Sequence, residues 1–214
     1  MNREAIAELF DRQAAGYDSQ WSRMAPVREG LYFLAEAALT ALPDDARVLG
    51  IGVGTGAELA FLAARFPRWE FTAVEPSGEM LELCRRRAEI NGFASRCTFH
   101  HGFLETLGMD QRYDAATCFL VSQFLTDSEV RTALFREIAA RLKPGGILLN
   151  ADLASDVGSP DYDLLLPMWL NRMSSAGVSA EAVERARAAY ARDVAVLPSD
   201  HIQSIIQAAG FSRP

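Results

Sequence analysis

The sequence lacks the features that mark membrane, secreted and metal-binding proteins. No apolar run approaches the roughly 18 to 20 residues that a membrane-spanning helix needs. The start, MNREAIAELF, does not have the cationic-then-apolar order of a secretory signal. The three cysteines, Cys84, Cys97 and Cys118, match no metal or CxxC spacing, and no other cluster of metal ligands is present. These absences predict a cytoplasmic protein without a metal, whose cysteines are buried free thiols.

The sequence also has fewer basic residues than acidic ones, 21 against 28. The formal net charge is -7, which argues against nucleic acid as a partner because phosphate binding depends on lysine and arginine. Half of the 214 residues are hydrophobic and 23% are charged, a composition that is ordinary for a globular protein. The sequence contains no internal repeat and no long linker. We therefore expect one domain with a single core.

Short apolar strands alternate with amphipathic helices along the chain. Helices are predicted at 3–15, 26–42, AELAFLAARF, 78–90 and TDSEVRTALFREIAARLKPGG; strands are predicted at ARVLGIG, WEFTAVE, RCTFHHG, YDAATCFL and GILLNADL. Ser77 is the expected N-cap of the helix at 78–90, and Thr126, Asp127 or Ser128 that of the later one. This alternation predicts an α/β, Rossmann-like doubly wound fold, with a mainly parallel sheet, helices on both faces and a ligand crevice at the carboxyl ends of the strands.

The predicted single domain, 1–214, has three parts. Residues 1–42 form N-terminal helices and residues 46–153 form the core that would bind a cofactor. Residues 160–196 interrupt the alternation with two helices, which we interpret as a helical cap or a subunit interface. A last helix is expected at about 200–209.

Four glycines at alternate positions, Gly50, Gly52, Gly54 and Gly56, stand where the first strand meets a helix, in RVLGIGVGTGAEL. Glycine destabilises a regular element by roughly 0.5 to 1 kcal/mol relative to alanine, so this run indicates a close approach to the backbone. Two ligand classes use such a turn: a dinucleotide, for which GVGTGA satisfies the permissive GxGxxA form, and S-adenosylmethionine. For either ligand, Glu75 is placed to accept hydrogen bonds from ribose hydroxyls.

The order and spacing of four motifs separate these two classes. VLGIGVGTG, AVEPSGEML, YDAATCFLVSQFL and RLKPGGILLNAD resemble the successive motifs of class I S-adenosylmethionine-dependent methyltransferases. The N-terminal LFDRQAAGYDSQW also resembles the segment of this family in which a tyrosine, here Tyr17, closes over the cofactor. The resemblance covers nearly the whole chain. It implies S-adenosyl-L-methionine as cofactor and S-adenosyl-L-homocysteine as product.

The resemblance also implies a set of cofactor-binding residues. They are Tyr17, Gly50, Ile51, Gly52, Gly54, Gly56, Glu75, Pro76, Met80, Gly102, Phe103, Leu104, Phe119, Leu120 and Gln123. Two of them depart from the family pattern. Gly50 stands where the family usually has an acid that helps to orient the cofactor's ammonium group, and Phe103 stands where an aspartate often binds the adenine amine. The family also continues after AAGF with two more strands, where this sequence has only residues 212–214.

Within the family, LVSQFLTDSEVRTALFREIAARLKPGG and the segment after it are similar to the branch that contains carboxy-S-adenosylmethionine synthase. There a neighbouring subunit supplies an arginine that holds the extra carboxylate. The resemblance points to Arg187, with Arg185 and Arg192 as rivals, and implies a homodimer through residues 160–196. Arg28 is a further candidate for contact with substrate or a partner subunit.

The predicted function is methyl transfer from S-adenosylmethionine to an unidentified small acidic or polar molecule. No universal catalytic residue is required, because in-line transfer depends largely on positioning. If the acceptor must lose a proton, His101 is the candidate general base. The alternatives are a carboxy-S-adenosylmethionine synthase-like transferase, an NAD-binding oxidoreductase and a non-catalytic adenosyl-binding subunit.

Overall fold

The structure, a computed structural model, describes residues 2–174 and 178–212. Its α-helices are α1 (Arg3–Gln13), α2 (Tyr17–Gln20), α3 (Ala25–Leu39), α4 (Ala57–Arg65), α5 (Gly78–Ile90), α6 (Ser128–Arg141), α7 (Pro160–Met173), α8 (Ala180–Asp193) and α9 (Ser199–Ala208). Its strands are β1 (Arg47–Ile51), β2 (Glu70–Glu75), β3 (Cys97–His101), β4 (Tyr113–Phe119) and β5 (Leu142–Ala151). Among these residues no helix is long and apolar enough to cross a membrane.

All five strands are parallel, in the order β3-β2-β1-β4-β5. The three central strands are almost continuously buried, whereas the edge strands β3 and β5 are partly exposed. In the central register, Gly50 lies between Ala73 of β2 and Thr117 of β4. The predicted α/β fold is confirmed, and the parallel strands bring all their carboxyl ends to one edge.

Helices cover both faces of the sheet. On one face α3, α4 and α5 bury apolar residues such as Leu39, Leu62 and Leu81 against the strands. On the other face α6 and α9 do the same with Phe135 and Ile205. Two packed layers therefore hold the strand ends rigidly, and a site built on those ends inherits that rigidity.

Most predicted element boundaries agree with the structure, including the cap residues. Ser77 accepts a hydrogen bond from the Met80 amide, and Asp127 accepts two from the first turn of α6. The prediction for the end of α6 was wrong, because that helix stops at Arg141 and Leu142 already belongs to β5. Lys143 instead forms an ion pair of 2.8 Å with Asp114 of β4, across an irregularity in the strand register.

A buried ion pair ties the far side of the sheet together. Arg131 of α6 and Asp152, just after β5, are both essentially unexposed and lie 2.9 Å apart. Asp152 also accepts hydrogen bonds from Ser122, the Gln123 amide and Asn150. Buried charges persist when they are paired and hydrogen-bonded in this way. The loop after β4 is consequently fixed to the end of β5.

Candidate functional site

A cavity of about 450 Å³ opens at the carboxyl ends of the strands. Its walls come from the turn after β1, the ends of β2, β3 and β4, and the N-terminal helices. This volume is within the range of small-molecule and cofactor sites, and the walls are mainly apolar with a few polar groups, as is usual for such sites. The crevice expected from the sequence therefore exists in the structure.

The glycine turn forms the floor of this cavity. Gly52 and Gly54 have φ values of +59° and +53°, in the left-handed region that favours glycine. A Cβ on Gly52 would lie 2.6 Å from Val121, whereas a Cβ on Gly54 would meet nothing within 4 Å. Gly52 is thus required by packing, while the backbone at Gly54 faces open space in the cavity.

Glu75, at the end of β2, fixes this turn from the side. Its carboxylate accepts hydrogen bonds from the Gly54 amide at 2.8 Å and from the Ser77 amide at 2.9 Å. Burial raises the pKa of Glu75, and these two amide donors offset part of that rise. The carboxylate also lines the cavity, so it links the turn to the start of α5 and remains available to a ligand.

Most of the residues that the resemblance assigned to the cofactor line the cavity. Besides Tyr17, Gly52, Gly54 and Glu75, they are Ile51, Pro76, Met80, Gly102, Phe103, Leu104, Phe119 and Leu120. Leu120 has φ +59°, which is rare for a residue other than glycine, and its amide donates to Ala151 at 2.6 Å. Backbone strain of this kind is typical of functional sites.

Three residues of the predicted cofactor set do not line the cavity, and packing explains each case. Gly50 is buried within β1, and a Cβ there would lie 2.6 Å from Val53. Gly56 packs against Cys84, whose Sγ would be 2.5 Å from an added Cβ. Gln123 is turned away, since its side-chain oxygen accepts a hydrogen bond of 2.7 Å from the Leu153 amide.

The predicted base and the predicted partner-subunit contact also lie outside the cavity lining. His101 is exposed, and its Nε2 lies 3.1 Å from the Pro76 carbonyl oxygen. Arg187 of α8 forms an ion pair of 3.0 Å with Asp163 of α7. Both side chains therefore have structural partners already. Arg28, by contrast, lines the cavity and forms no ion pair with any described residue.

The N-terminal segment covers one side of the cavity with aromatic side chains. Tyr17 packs between Phe10 and Trp21, at ring-centroid distances of 6.2 and 5.9 Å. Burial raises the pKa of Tyr17 to about 12, with a smaller contribution from the nearby Glu75 carboxylate. The hydroxyl is therefore neutral at physiological pH and lies near the group that fixes the glycine turn.

Two aspartates, which the sequence reasoning missed, attach this segment to the core. Asp11 accepts hydrogen bonds from the Ser77 hydroxyl at 2.5 Å and from the Glu79 amide at 3.1 Å, at the N-terminus of α5. Asp18 accepts one of 2.8 Å from the Thr55 hydroxyl and pairs with Arg87. Nothing in the sequence around these two aspartates predicts their contacts, because a local pattern contains no information about which distant segments meet.

Glu58 is a second omission of the sequence reasoning. It lies in the first turn of α4, lines the cavity and is only 8% exposed. Its Oε1 accepts a hydrogen bond of 2.5 Å from the Thr117 hydroxyl of β4. Burial raises the pKa of Glu58 to about 7, and the Thr117 hydrogen bond offsets part of this rise. From the sequence, a glutamate in a first helical turn is ordinary, because it complements the helix dipole.

Known proteins resemble both the sequence and the fold. A family profile described as "Methyltransferase domain" matches residues 48–146. The malonyl-[acyl-carrier protein] O-methyltransferase of Priestia megaterium is 24% identical over 70% of this chain and 51% of its own length. The carboxy-S-adenosyl-L-methionine synthase of Aeromonas salmonicida is 29% identical over 97% of this chain and 80% of its own. The chain thus spans about half the length of the first relative and four fifths of the second.

Solved structures have the same fold. A candidate O-methyltransferase from Nostoc punctiforme superposes with a TM-score of 0.68 at 18% identity, over 95% of this chain and 54% of that one. A Geobacter sulfurreducens methyltransferase in complex with S-adenosyl-L-homocysteine gives 0.58 at 21%, over 86% and 64%. At these identities the likeness concerns the fold. In sequence, residues 48–146 match the methyltransferase domain profile, so the chain is similar to S-adenosylmethionine-dependent methyltransferases in this segment as well as in fold.

The raised pKa of Glu58 predicts a destabilising effect that grows with pH. The unfolded carboxyl ionises near its ordinary value of 4.5 and the folded one near 7, so the folded state loses stability as pH rises through this interval. Glu58→Gln removes that charge, and we expect it to raise the free energy of unfolding by on the order of 2 kcal/mol at pH 8. The gain should shrink as the pH falls toward 5.

Urea unfolding at pH 5, 6.5 and 8 measures this difference. The same substitution at the exposed Glu79 of α5 is the matched control and should show no such trend. Equal unfolding free energies of the native protein and Glu58→Gln at pH 8 would contradict the raised pKa.

Proposed function

We propose that this chain is a methyltransferase that uses S-adenosyl-L-methionine to methylate a small molecule and releases S-adenosyl-L-homocysteine. The observation that carries this proposal is the pairing of Glu75 with the glycine turn. The Glu75 carboxylate, which suits ribose hydroxyls, is hydrogen-bonded to the Gly54 amide. The backbone at Gly54 in turn faces open space in the cavity of about 450 Å³. The similarity of residues 48–146 to the methyltransferase domain profile supports the same conclusion.

The residues around the cavity fit this cofactor. Glu75 would accept hydrogen bonds from the ribose hydroxyls, and the turn at Gly52 and Gly54 would allow a close approach of the amino-acid end. The apolar Met80 and Phe103 would flank the adenine, and both line the cavity. The Arg3 guanidinium lies over the Phe103 ring, at 4.5 Å from its centroid, and this cation–π contact helps to hold the ring in place.

The cofactor, when bound, supplies an activated methyl group on a sulfonium. The contribution of the chain is to orient the reactants and exclude water, since in-line transfer gains most from positioning. Tyr17 and its aromatic neighbours shield the cavity from the N-terminal side. His101 lies outside the lining, so we assign it no proton transfer.

The outer part of the cavity supports an acceptor with an apolar body and an acidic group. Trp21, Val27 and Leu31 contribute apolar surface there, and Trp169 of α7 adds to it. Arg28 is a cation on this wall without an acidic partner among the described residues. An unpaired, half-buried guanidinium is suited to a carboxylate or a phosphate. Because Trp169 reaches the cavity, we keep the interpretation of residues 160–196 as a cap.

A second candidate is a transferase resembling carboxy-S-adenosylmethionine synthase, favoured by the similarity to that enzyme of Aeromonas salmonicida over nearly the whole chain. Arg187 is less suited than Arg28 to hold an extra carboxylate, because it is already paired with Asp163. We propose a cytoplasmic location for either enzyme, since Cys84, Cys97 and Cys118 are all free thiols.

We also propose a homodimer that forms through residues 160–196. The support is an apolar surface on α7, where Leu164 and Met168 are 69% and 67% exposed. Apolar side chains grouped in this way on a helix face are typical of interaction sites.

Replacement of Glu75 tests the cofactor site. We expect Glu75→Gln to weaken binding of S-adenosylhomocysteine by about 10- to 100-fold, because charge-assisted hydrogen bonds contribute about 1.5 to 3 kcal/mol. Isothermal titration calorimetry measures the affinity. Glu70→Gln, at the exposed start of the same strand, is the control and should bind as the native protein does. Unchanged binding by Glu75→Gln would refute the assignment of Glu75 to the ribose.

The choice of cofactor separates the two candidate enzymes and the oxidoreductase alternative. We expect the native protein to bind S-adenosylmethionine and S-adenosylhomocysteine more tightly than carboxy-S-adenosylmethionine or NAD in the same calorimeter. A preference for the carboxylated compound that Arg28→Gln abolishes would establish the second candidate instead. Binding of NAD alone would exclude both.

Sedimentation analysis tests the dimer. We expect the native protein to sediment as a dimer at micromolar concentration, and Leu164→Glu to sediment as a monomer because it places a charge in the apolar contact. Ile90→Glu, which places the same charge at an exposed apolar residue outside residues 160–196, is the control and should leave the dimer intact. A native monomer at all concentrations would rule out the dimer.

A further inference from the structure

Glu58 occupies an unusual position above the centre of the sheet. Gly50 and Thr117 lie side by side on β1 and β4, and the Glu58 carboxylate sits over this pair. Its Oε1 is 2.5 Å from the Thr117 hydroxyl and 3.7 Å from the point that a Cβ on Gly50 would occupy. Since Gly50 has no side chain, the carboxylate from α4 lies in space that a larger residue on β1 would fill.

This carboxylate is poorly compensated for a group that is 92% buried. The Thr117 hydroxyl is its one hydrogen-bond donor among the described residues, and no described cation forms an ion pair with it. The titratable groups that face it are Tyr32 from α3, Cys84 from α5 and Cys118 from β4, and burial raises the pKa of all three, so they are neutral near pH 7.

Asp152 provides the contrast. Its side chain is also buried, with 1% exposed, but it receives Arg131, the Ser122 hydroxyl, the Asn150 amide and a backbone amide. A buried carboxylate ordinarily collects partners of this kind, since an unpaired buried charge is strongly unfavourable. Glu58 lines the cavity but lacks partners of this kind, and a positively charged group of a ligand would supply one.

We infer that the Glu58 carboxylate binds the primary ammonium group at the amino-acid end of the cofactor, an inference that rests on the proposed function. The glycine turn, Gly52 to Gly56, is connected to both acids: Glu75 accepts a hydrogen bond from its Gly54 amide, and Glu58 lies in the first turn of the helix that follows it. A ligand whose ribose is held by Glu75 and whose other end follows this turn reaches Glu58. An ammonium group can donate to the carboxylate oxygen that Thr117 does not occupy.

A lone carboxylate does not suit a metal ion, and within the described ranges, 2–174 and 178–212, no group of three or more potential metal ligands exists. An amine on the methyl acceptor shares the chemistry of the cofactor's ammonium group. The two sources are distinguished by cofactor analogues in the absence of any acceptor.

Isothermal titration with two proteins, one control variant and three ligands tests the inference. The proteins are the native chain and Glu58→Gln, which keeps the shape and an acceptor for Thr117. The ligands are S-adenosylhomocysteine, its desamino analogue and 5′-methylthioadenosine, which lacks the whole amino-acid end. We expect Glu58→Gln to bind S-adenosylhomocysteine about 10- to 100-fold more weakly and the other two ligands as the native protein does. Glu79→Gln, which changes an exposed acid in the first turn of α5, should leave all three affinities unchanged.

The pH dependence gives an independent readout. Binding of an ammonium group requires the ionised form of Glu58, so a proton leaves the carboxyl to the buffer on binding below pH 7. The affinity of the native protein for S-adenosylhomocysteine should fall about tenfold between pH 7.5 and pH 6, and that of Glu58→Gln should not. Glu75 and the guanidinium groups of Arg28 and Arg87, which act on Tyr32, are common to both proteins, so the difference between the two pH profiles reports on Glu58.

Each result has one meaning. Equal weakening for S-adenosylhomocysteine and methylthioadenosine would make Glu58 a support of the turn and overturn the inference. Unchanged affinity for S-adenosylhomocysteine in Glu58→Gln would place the ammonium group elsewhere, and an amine of the acceptor would then be the remaining cation. Failure of the native protein to bind any of the three ligands would reject the proposed function itself.

Discussion

The Glu75 carboxylate holds together the loops on which the site depends. It joins the glycine turn after β1 to the start of α5 through the amides of Gly54 and Ser77. Ser77 in turn caps α5 and donates its hydroxyl to Asp11 of the N-terminal helix. Burying an isolated carboxylate is unfavourable, and hydrogen bonds from donors in two loops offset this unfavourable free energy. The same hydrogen bonds also align the two loops. Without the Glu75 carboxylate, the glycine turn, the start of α5 and the N-terminal segment that covers the cavity would share no common partner.

Three buried acids at the carboxyl ends of the strands differ in how fully they are compensated. Asp152 has an arginine and several neutral donors, Glu75 has two backbone amides, and Glu58 has one hydroxyl. A fully compensated acid is a structural element, whereas a poorly compensated one lowers stability until a ligand completes its environment. The contrast between Asp152 and Glu58 is therefore the physical argument for assigning the first to the fold and the second to binding.

Local patterns in the sequence were sufficient for the elements and for the turn. Alternating apolar segments, the caps at Ser77 and Asp127 and the glycines at 52 and 54 all report on neighbours along the chain, and the structure agrees with them. The end of α6 was mispredicted because β5 begins at Leu142, which pairs with Tyr113 of the distant strand β4, and Lys143 donates to Asp114 of the same strand. The roles of Gly50 and Gly56 in packing, like the burial of Glu58, follow from side chains on other elements, so no periodicity could reveal them.

The N-terminal cover is held more loosely than the rest of the site. Its polar contacts with α5 run through Asp11 and through Asp18 with Arg87, and the Asp18 and Arg87 side chains are 49% and 25% exposed. Elsewhere Arg3 pairs with Glu105. Ion pairs that reach solvent contribute at most about 1 kcal/mol, far less than the apolar contacts that hold α4, α5 and α6 to the sheet. Separation of the cover from α5 therefore breaks few strong interactions, while the turn held by Glu75 stays intact. The site thus combines a glycine turn that is held firmly by Glu75 with an N-terminal segment that is attached more weakly. Displacement of this segment is therefore the way to open the cavity to ligands that disrupts the fewest strong contacts.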